Sequence, residues 1–382
     1  MESRDPLIDT LCDLVSIDSV NPEWGGPGEG QIVAYLDDFF SDADIPHWKE
    51  EVLPGRCNFY ACLEGQDASR AILLEAHMDI VSVQGMTISP FDPVVEEGKL
   101  YGRGACDTKA GLAAMIEAIR VIRESGEIPP VTIWFAAVID EESAFRGVLA
   151  AIDWFRERKI EFEGAIVAEP TELRLVTTNK GVLRWRVRTL GKAAHSSKPH
   201  LGKNAISIMA ELIRELDAFH LELDQKAHPL VGNATCNIGT IEGGDQVNFV
   251  PETCEIALDR RMLPGESGQE ILSSYKPLWK RFPEGEIEVL PPDLDDAAME
   301  TPVDAEVFRF ASKEVADLGL DPEPQGVPFG CDSTKLSRAG VPCLIFGPGS
   351  IDQAHAAIEW VELDQVKLAF DFYHRFLLNY GG

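Results

Sequence analysis

The sequence predicts an α/β protein with two domains: a mixed sheet with helices on both faces, and an inserted ferredoxin-like α+β domain. Helical and strand-like patterns alternate over residues 1–180 and again over 292–382, as they do in sheets covered by helices. Residues 181–291 instead follow the order β-α-β-β-α-β of the split ferredoxin-like motif. A chain of 382 residues is also longer than one ordinary hydrophobic core requires.

The elements of the first domain follow from the spacing of apolar residues. Helical spacing predicts helices over residues 7–15, 32–40, 111–122, 148–155, 307–318 and 363–378. Short apolar runs predict strands over 71–74, 131–139, 164–168 and 343–346. The run over 131–139 contains no charged residue and is rich in β-branched and aromatic residues, which is typical of a strand buried on both faces.

The inserted domain is predicted from a change of period. Residues 182–188 alternate between apolar and charged side chains, as a half-exposed strand does. Helices over 204–219 and 268–279 and strands over 235–241, 254–258 and 286–290 complete the motif. Because the chain enters and leaves this domain once each, a hinge is expected near residues 180 and 292.

The chain is strongly acidic, with 34 Lys and Arg against 64 Asp and Glu and a formal net charge of −30. This charge argues against nucleic acid as a partner, because nucleic-acid binders carry basic surfaces. It also argues against binding to anionic membrane surfaces, and it favours the attraction of cations. A salty habitat and a cationic substrate are both compatible with it.

The sequence shows no sign of export or of a membrane span. Residues 1–5 are polar and lack the apolar region of a signal peptide. No apolar run reaches the ~18 residues that a span needs. The eight cysteines are scattered without a Cys-x-x-Cys pair, so free thiols are expected instead of a disulfide framework. We therefore expect a cytoplasmic protein.

Three predicted strands run into polar groups at their carboxyl ends. His77 and Asp79 follow the first strand, an acidic triplet at 140–142 follows the second, and Glu169 follows the third. Functional groups of α/β sheets collect at this edge. Adjacent carboxylates oppose each other's ionisation, most strongly when buried, and a metal ion is the simplest compensating charge. A solvated loop is the alternative for the triplet alone.

A glycine-punctuated turn leads into the predicted helix at 111–122 and carries Asp107. Helix N-terminal amides can fix a carboxylate at this position, and an N-cap aspartate is the structural interpretation of the segment alone. The segment is not a phosphate loop, because the Gly-Lys-Ser/Thr order is absent. Cys106 has no partner at metal-ligand spacing, so we expect no role for it in metal binding.

Five short motifs occur in order along the chain and together carry a resemblance. They are His77-x-Asp79, Gly102-Arg103-Gly104 with Asp107-x-Lys109-x-Gly111, Asp140-Glu141-Glu142, Glu169-Pro170-Thr171, and Gln353-Ala354-His355. This set resembles the di-zinc metallohydrolases that include acetylornithine deacetylase, succinyl-diaminopimelate desuccinylase, aminoacylase and the glutamate carboxypeptidases. The resemblance covers nearly the whole chain. It is strongest to acetylornithine deacetylase at residues 168–171, 195–197 and 347–355.

The resemblance implies two zinc ions, which Co²⁺ or Mn²⁺ can replace, held by five side chains. Asp107 is the implied bridge between the ions, commonly beside a cis peptide bond. His77 and Glu169 complete one site. Glu142 and His355 complete the other. Two imidazoles and three carboxylates suit zinc, which prefers such N and O donors, and a pair of these ions lowers the pKa of water and polarises a carbonyl.

The other acids near the centre have different implied roles. Glu141 is the implied general base, which takes a proton from water and delivers it to the leaving amine. Asp79 is expected to orient His77, because a metal-bound imidazole usually donates its second N–H to a carboxylate. Asp140 is expected to support the turn.

The resemblance also implies substrate contacts from the inserted domain. His195 is the expected oxyanion donor, and in the relatives this histidine reaches the active site across a dimer interface formed by the inserted domains. Asn248 and Arg261 are further candidates, since arginine offers a bidentate grip on a carboxylate. Arg261 is preferred to Arg260 by its place in the family-like pattern. Without the resemblance, an exposed loop histidine and exposed strand arginines are the alternatives.

Three more residues are expected to contact substrate, namely Lys180, Gly349 and Ser350. Lys180 matches the deacetylase pattern, whereas desuccinylases tend to have arginine there. Two positions depart from the deacetylases. Gly147 is a single glycine where a pair is common, and Asp332 stands where glutamate is frequent. Because the segment around Asp332 is expected to line the side-chain pocket, this difference bears on which substrate is bound.

These residues predict a metal-dependent hydrolase that removes an acyl group from the α-nitrogen of an amino acid. N-acetylornithine, a substrate of arginine biosynthesis, is the first candidate. A desuccinylase, a broad aminoacylase, and a dipeptidase or carboxypeptidase of the same family are the alternatives. An inactive metal-binding relative is the alternative from another class, but the base and all implied ligands are present. The expected assembly is a homodimer through the inserted domain.

Overall fold

The chain folds into two compact units. The computed structural model describes residues 5–382. Residues 1–4, on which the prediction of no signal peptide partly rests, lie outside the described part. The first unit comprises the chain through Thr177, Thr301–Gln325 and Cys331–Gly382, and the second comprises Thr178–Glu300 and Gly326–Gly330. The second unit reaches beyond the predicted 181–291 because Leu294–Asp296 pairs with the strand Gly181–Leu190.

Helices and strands alternate along most of the described chain. The helices are α1 (Pro6–Ser16), α2 (Gly30–Asp42), α3 (Ala110–Ser125), α4 (Arg146–Glu157), α5 (Ala205–His220), α6 (Gly268–Ser274), α7 (Lys276–Trp279), α8 (Glu306–Asp317), α9 (Ser333–Arg338) and α10 (Leu363–Asn379). None of the helices within residues 5–382 is both long and apolar enough to cross a membrane.

The strands extend the predicted set at both ends of the chain. They are β1 (His47–Leu53), β2 (Arg56–Leu63), β3 (Asp67–His77), β4 (Val94–Glu96), β5 (Lys99–Tyr101), β6 (Val131–Val138), β7 (Gly164–Val167), β8 (Val176–Asn179), β9 (Gly181–Leu190), β10 (Ala194–His195), β11 (Ala227–His228), β12 (Gly232–Asn233), β13 (Thr235–Gly243), β14 (Phe249–Val250), β15 (Thr253–Met262), β16 (Ile287–Val289), β17 (Leu294–Asp296), β18 (Met299–Glu300), β19 (Gln325–Val327), β20 (Cys343–Ile345) and β21 (Trp360–Glu362).

The first unit is built on a mixed sheet, as predicted. Its strands follow the order β1-β2-β6-β3-β7-β20, and the first residue of β8 pairs with the end of β20. The pairs β3–β6, β3–β7 and β7–β20 are parallel. The pairs β1–β2, β2–β6 and β8–β20 are antiparallel. The α/β class is therefore confirmed.

Helices cover both faces of this sheet, and β6 shows how. Successive side chains of a strand point to opposite faces. Phe135 packs against Phe40 of α2, with ring centroids 5.7 Å apart, and the neighbouring Trp134 packs against Trp154 of α4 at 5.9 Å. The core on the Phe135 side also contains residues of α1, α3, α8 and α10. The apolar run over 131–139 is buried because each face of the strand has its own helical layer.

The parallel strands bring four polar segments to one edge of the sheet. β3 ends at His77, β6 leads into the acidic triplet, β7 leads to Glu169, and β20 leads into the loop that contains His355. Because β3, β6, β7 and β20 run in the same direction, their carboxyl ends lie at the same edge. Groups far apart in sequence therefore become neighbours there.

The second unit is an α+β layer with its own core. Its antiparallel sheet has the order β13-β15-β9-β16, and β17 also pairs with β9. Trp185 of β9 and Ile256 of β15 pack with Met209 and Leu212 of α5. The chain order β9-α5-β13-β15-α6-β16 follows the predicted β-α-β-β-α-β motif.

One predicted element of the second unit is interrupted. The single helix expected over 268–279 is two helices, α6 and α7, which meet at Tyr275. Pro277 lies in the first turn of α7. Its missing N–H cannot bond back to the preceding turn, so the helix restarts at this point instead of continuing.

Candidate metal centre

His77 stands at the end of β3 with both ring nitrogens engaged. Its Nδ1 lies 2.9 Å from the main-chain oxygen of Asp79, and its Nε2 lies 3.0 Å from Oδ1 of Asp107. A ring that donates through Nδ1 keeps its Nε2 lone pair for a metal. The structure corrects the predicted partner of this ring. The Asp79 carboxylate lies 3.8 Å from Nδ1, and the Asp79 carbonyl takes the hydrogen bond instead.

Asp107 faces two histidines through its two carboxylate oxygens. Oδ1 is 3.0 Å from Nε2 of His77, and Oδ2 is 3.3 Å from Nε2 of His355. The residue lies in the irregular turn Ala105–Lys109, and the peptide bond that follows it is cis. The N-cap of α3 is Lys109, so the interpretation of Asp107 as an N-cap is wrong. A carboxylate placed between two imidazoles has the geometry of a bridging ligand.

Five side chains form two groups with the chemistry of metal ligands. One group is His77, Asp107 and Glu169, and the other is Asp107, Glu142 and His355. Within each group the donor atoms lie within 4.8 Å of one another. The first group is buried, whereas the His355 side chain is half exposed. The structure thus brings together all five side chains that the resemblance implies, with Asp107 in both groups.

The Asp79 carboxylate holds the main chain of the acidic triplet. Its Oδ1 accepts the N–H of Glu141 at 3.0 Å, and its Oδ2 accepts the N–H of Glu142 at 3.2 Å. The side-chain amide of Asn21 donates to Oδ2 at 2.8 Å. These bonds occupy the buried carboxylate, whereas the hydrogen bond of the His77 ring goes to the Asp79 carbonyl.

The Glu141 carboxylate lies beside the metal groups without a fixed partner. Among the described residues, no group donates a hydrogen bond to it. Burial raises the pKa of Glu141 well above its usual range; His77 opposes this shift, and the charges of Asp332 and Glu142 add to it. A carboxylate with a raised pKa and free oxygens is suited to proton transfer.

Asp140 fixes the turn that follows β6. It is fully buried with a left-handed φ of 67°. Its carboxylate accepts hydrogen bonds from Arg56 at 3.1 Å, from Arg146 at 2.5 Å and from Asn21 at 3.1 Å. Arg56 also pairs with the buried Glu29. Two guanidinium groups therefore compensate the first acid of the triplet, which separates it electrostatically from the other two.

Within residues 5–382, no guanidinium group pairs with the other acids of the centre, namely Asp107, Glu141, Glu142 and Glu169. Burial raises the pKa of Glu169 well above its usual range, and burial also raises that of Glu142, with Asp107 adding to both shifts. Hydrogen bonds to Asp107 and Glu142 raise the pKa of His355 to about 10. Burial disfavours ionised Asp107, but hydrogen bonds from His355 and His77 outweigh it and lower its pKa.

This donor set fits divalent metal ions. Imidazole and carboxylate donors are those that zinc prefers. Metal binding needs neutral histidine and ionised carboxylate, so it would release protons from such a cluster. The chemistry of the residues, and the two oxygens of Asp107 facing separate histidines, support two metal positions.

His195 and Asn248 lie next to each other in the second unit. β10 pairs with β14, so that His195 lies opposite Phe249, and the main-chain oxygen of Asn248 accepts the N–H of Ser196 at 3.0 Å. Both side chains are exposed. The Nδ1 of His195 accepts the N–H of Ser197 at 3.1 Å and contacts its hydroxyl at 2.8 Å. No described residue forms a hydrogen bond with the other ring nitrogen of His195, Nε2.

Arg261 and Lys180 lie near each other in the second unit. Arg260 is buried and its guanidinium pairs with Glu266 at 3.0 Å. Arg261 is partly exposed, and its Nε donates to Asp259 at 2.8 Å. Burial lowers the pKa of Lys180, and the charges of Arg260 and Arg261 add to this shift. Of the two arginines, Arg261 therefore has the more available guanidinium group.

Gly349 and Ser350 use main-chain groups in the first unit. Gly349 has a left-handed φ of 87° and donates its N–H to Gln365 at 2.8 Å. A Cβ at this position would lie 2.5 Å from Sγ of Cys106. The carbonyl of Ser350 accepts the thiol hydrogen of Cys106 at 3.3 Å. Cys106 belongs to neither metal group, as expected.

Asp332 lies in the interior of the first unit. It is 1% exposed. Burial raises its pKa to about 7; Lys335 and His77 oppose that shift, and Asp79 adds to it. Burial raises the pKa of Glu75 well above its usual range, and the charge of Asp332 adds to this. The structure thus places Asp332 beside a second buried acid, in a position that the sequence did not indicate.

Several residues that shape the centre were not predicted from sequence. They are Asn21, Glu29, Arg56, Glu75, Arg103 and Glu359. Two of them have a sequence feature that could have pointed to the centre. Glu359 lies four positions after His355, and Arg103 lies inside the glycine-rich turn. The others lie far along the chain from the residues they contact and have no local signal.

Two metal groups that share a carboxylate, beside a glutamate without a fixed partner, define the site of a metal-dependent hydrolase. Comparison with known families agrees with this class. Residues 73–379 match peptidase family M20/M25/M40, and the chain belongs to this family. The resemblance inferred from the five motifs is thereby confirmed.

Individual relatives extend along nearly the whole chain. The sequence is 30% identical to acetylornithine deacetylase of Vibrio campbellii over 381 residues, which cover 97% of this chain and 96% of the relative. Two solved structures share the fold. A tripeptidase from Staphylococcus aureus has a TM-score of 0.79 at 22% identity and covers 97% of each chain. A dinuclear metal-binding M20 peptidase from Bacillus subtilis has a TM-score of 0.72 at 16% identity, covering 97% and 96%.

Proposed function

We propose that this hydrolase removes the acyl group from the α-nitrogen of an N-acylated amino acid, and that N-acetylornithine is its preferred substrate. The observation that carries the proposal is the similarity to acetylornithine deacetylase over 97% of the chain. The site supports it because a base and two metal groups are what amide hydrolysis at neutral pH requires. Such an activity belongs to amino-acid biosynthesis, specifically that of arginine.

Zinc is the proposed metal, with Co²⁺ or Mn²⁺ as substitutes. His77 and Glu169 would hold one ion, Glu142 and His355 the other, and Asp107 both. When bound, such ions lower the pKa of water and polarise the amide carbonyl. The sheet would help to keep the ions in place, because His77 ends β3, Glu142 follows β6 and Glu169 follows β7.

Glu141 is the proposed general base. It takes a proton from the attacking water and passes it to the amide nitrogen as the bond to the acyl group breaks. Its pKa is raised, first by burial, which strengthens Glu141 as a proton acceptor. Asp79 keeps the base in position, because its carboxylate accepts the N–H of Glu141.

His195 is the proposed oxyanion donor. Because the N–H of Ser197 donates to Nδ1, the neutral ring carries its own hydrogen on Nε2. That N–H can stabilise the negative charge that develops on the carbonyl oxygen. By analogy with the relatives, His195 would serve the site of a partner subunit in a homodimer formed through the second unit.

The proposed substrate contacts follow the same logic of charge. Arg261 would bind the substrate carboxylate with both arms of its guanidinium group, and Lys180 adds positive charge nearby. Asn248 would contribute an amide beside His195. Gly349 and Ser350 would border the substrate on the loop after β20.

Other activities of the family remain alternatives. Desuccinylase, broad aminoacylase, and dipeptidase or carboxypeptidase activity would use the same metals and base on another substrate. An inactive metal-binding relative is disfavoured because Glu141 and both metal groups are complete. The predicted cytoplasmic location is supported by all eight cysteines being free thiols, since disulfides are rare in that compartment.

A substrate panel tests the proposal directly. Zinc-loaded protein is assayed with N-acetylornithine, N-succinyl-diaminopimelate, N-acetylmethionine and a tripeptide. We expect kcat/KM for N-acetylornithine to exceed that of the others by roughly tenfold or more, the range that one pocket contact can supply. Equal rates on the acylated amino acids would indicate a broad aminoacylase. No hydrolysis by a fully metal-loaded protein would indicate an inactive relative.

Replacing His195 by alanine tests the proposed oxyanion donor. We expect kcat to fall by roughly 10²- to 10³-fold while metal content is unchanged, because His195 belongs to neither metal group. The matched control is His200→Ala, which removes another exposed histidine close by in the chain. Mixing His195→Ala with Glu141→Gln subunits should restore activity if His195 acts across a dimer. Full activity of His195→Ala alone contradicts the assignment.

A further inference from the structure

Glu359 is a buried carboxylate that belongs to neither metal group but holds the turn carrying Asp107. It is 1% exposed. Its Oε1 accepts the N–H of Cys106 at 3.0 Å and the N–H of Asp107 at 3.2 Å. Its Oε2 accepts a hydrogen bond from Nη1 of Arg103 at 2.7 Å, and Arg103 is buried as well. The buried ion pair of Glu359 and Arg103 thus fixes the backbone of Asp107, the candidate ligand common to both metal groups.

The position of Glu359 follows from a short strand pair. β21 pairs with β5, so that Trp360 lies opposite Tyr101, and the carbonyl of Glu359 accepts the N–H of Gly102 at 3.1 Å. This pairing sets Glu359 at the point where β5 turns into the segment that carries Asp107. The turn is tightly packed. Gly104 has a left-handed φ of 78°, and a Cβ there would lie 2.7 Å from a side-chain carbon of Ile80.

Glu359 also links two ligands of the same metal group. It follows His355 by four positions on the segment between β20 and β21. Its carboxylate therefore ties the segment of His355 to the backbone of Asp107. In the first metal group, by contrast, His77 lies within the β3–β6 ladder and Glu169 lies two residues after the end of β7, which pairs with β3. Sheet hydrogen bonds support the first group, whereas loop contacts support the second.

We propose that Glu359, together with Arg103, is a positioning residue for the second metal position, which is formed by Asp107, Glu142 and His355. It acts through the main-chain amides of Cys106 and Asp107 and touches no metal itself. The inference rests on the proposed assignment of these side chains as metal ligands. Residues that orient metal ligands commonly change metal affinity by roughly 10- to 100-fold when mutated, and removing one partner of a buried ion pair leaves an uncompensated charge.

The test is a metal titration of the Glu359→Gln variant, which keeps the size of the side chain. Metal-free protein is titrated with Zn²⁺ by calorimetry and with Co²⁺ by visible absorption. The wild-type chain is expected to bind two ions in separate steps, and His355→Ala identifies the step that belongs to the second position. In Glu359→Gln, the dissociation constant of that step should rise roughly tenfold or more. Because Asp107 belongs to both groups, the other step should weaken as well, but less.

A matched control separates positioning from general damage. Glu314 is another buried glutamate of the first unit, 1% exposed and paired with Arg375 at 2.9 Å, and it belongs to neither metal group. Glu314→Gln should leave both binding steps unchanged. If Glu359→Gln fails to fold, as judged by circular dichroism, Arg103→Lys takes its place. That variant keeps the positive charge but not the guanidinium geometry, and it should weaken the same step to a smaller degree.

The outcomes separate this inference from the proposed centre. A folded Glu359→Gln or Arg103→Lys variant with wild-type affinity in both steps overturns the positioning role. Equal weakening of both steps also overturns it, because the effect would not be specific to the second position. A wild-type chain that binds fewer than two ions overturns the ligand assignment, and the inference with it. Two ions and a larger weakening of the second step support both.

Discussion

Replacing Glu141 by glutamine is expected to lower kcat by roughly 10²- to 10⁴-fold, the usual contribution of a general base. The amide keeps the shape of the side chain but cannot accept and return the proton of water. Metal content should stay near two ions per chain, because Glu141 belongs to neither metal group. The measurement is kcat on the best substrate of the panel together with metal analysis of the same sample.

The matched control for this variant is Glu117→Gln. Glu117 is also buried in the first unit, where it accepts a hydrogen bond from Thr10 and pairs with Arg120. It lies outside both metal groups, so this variant should keep its activity. If Glu141→Gln retained full kcat, the assignment of the base would be refuted. If it lost its metal, Glu141 would instead have to be a ligand.

Removing metal with a chelator is expected to abolish hydrolysis and to make stability depend on pH in a defined direction. Burial raises the pKa of Glu141 and Glu169 well above their usual values, and that of Glu142 is raised as well. Hydrogen bonds to Asp107 and Glu142 raise the pKa of His355 to about 10. Groups with raised pKa values bind protons more tightly in the folded chain than in the unfolded one.

The sign of the pH effect follows from these shifts. Their stabilisation is complete below the unfolded values, near 4.5 for glutamate and 6.5 for histidine, and it is lost as pH rises through the folded values. The lowered pKa of Asp107 acts only at acidic pH. The Tm of metal-free protein should therefore fall as pH rises from 6.5 to about 10, the unfolded and folded pKa values of His355, while the Tm gained on adding Zn²⁺ should increase.

Two variants test whether this effect arises at the centre. Asp107→Asn, which alters the ligand common to both groups, should prevent binding of both ions and flatten the Zn²⁺-dependent gain in Tm. His355→Ala removes a ligand of only one group, so it should lose one ion and part of the gain. A metal-free wild-type protein whose Tm rises over the same pH range would contradict the prediction.

Much of the fold could be predicted from local sequence patterns. The apolar run over 131–139 predicted β6, and the alternation over 182–188 predicted β9, because burial on two faces or on one leaves a direct trace in the spacing of side chains. The edge hairpin β1–β2 was not among the predicted elements. Its strand β1 is half-exposed and carries charged residues such as Lys49 and Glu50, so its pattern resembles that of a surface loop.

The candidate site could be predicted from the sequence only in part. The polar groups at strand ends indicated where the site lies, because the direction of parallel strands determines where their ends lie. The five motifs indicated, through the resemblance, which side chains are the candidate ligands. The hydrogen-bond partners of those side chains were harder to predict. Asp79 was expected to orient a ring, yet its carboxylate holds two main-chain amides. Such contacts depend on how a turn is folded, which residue types do not reveal.

By itself, the sequence determined the α/β class and the two-part organisation in outline, because these depend on periodicity. The candidate ligands and base came from the resemblance of its five motifs to a known family. Only the tertiary structure decided that Asp107 faces His77 with one oxygen and His355 with the other. It also decided that Glu359 accepts hydrogen bonds from the main chain of the turn that carries Asp107. These residues are far apart along the chain. Their distances are set by long-range packing of strands and loops, which leaves no periodic trace in the sequence.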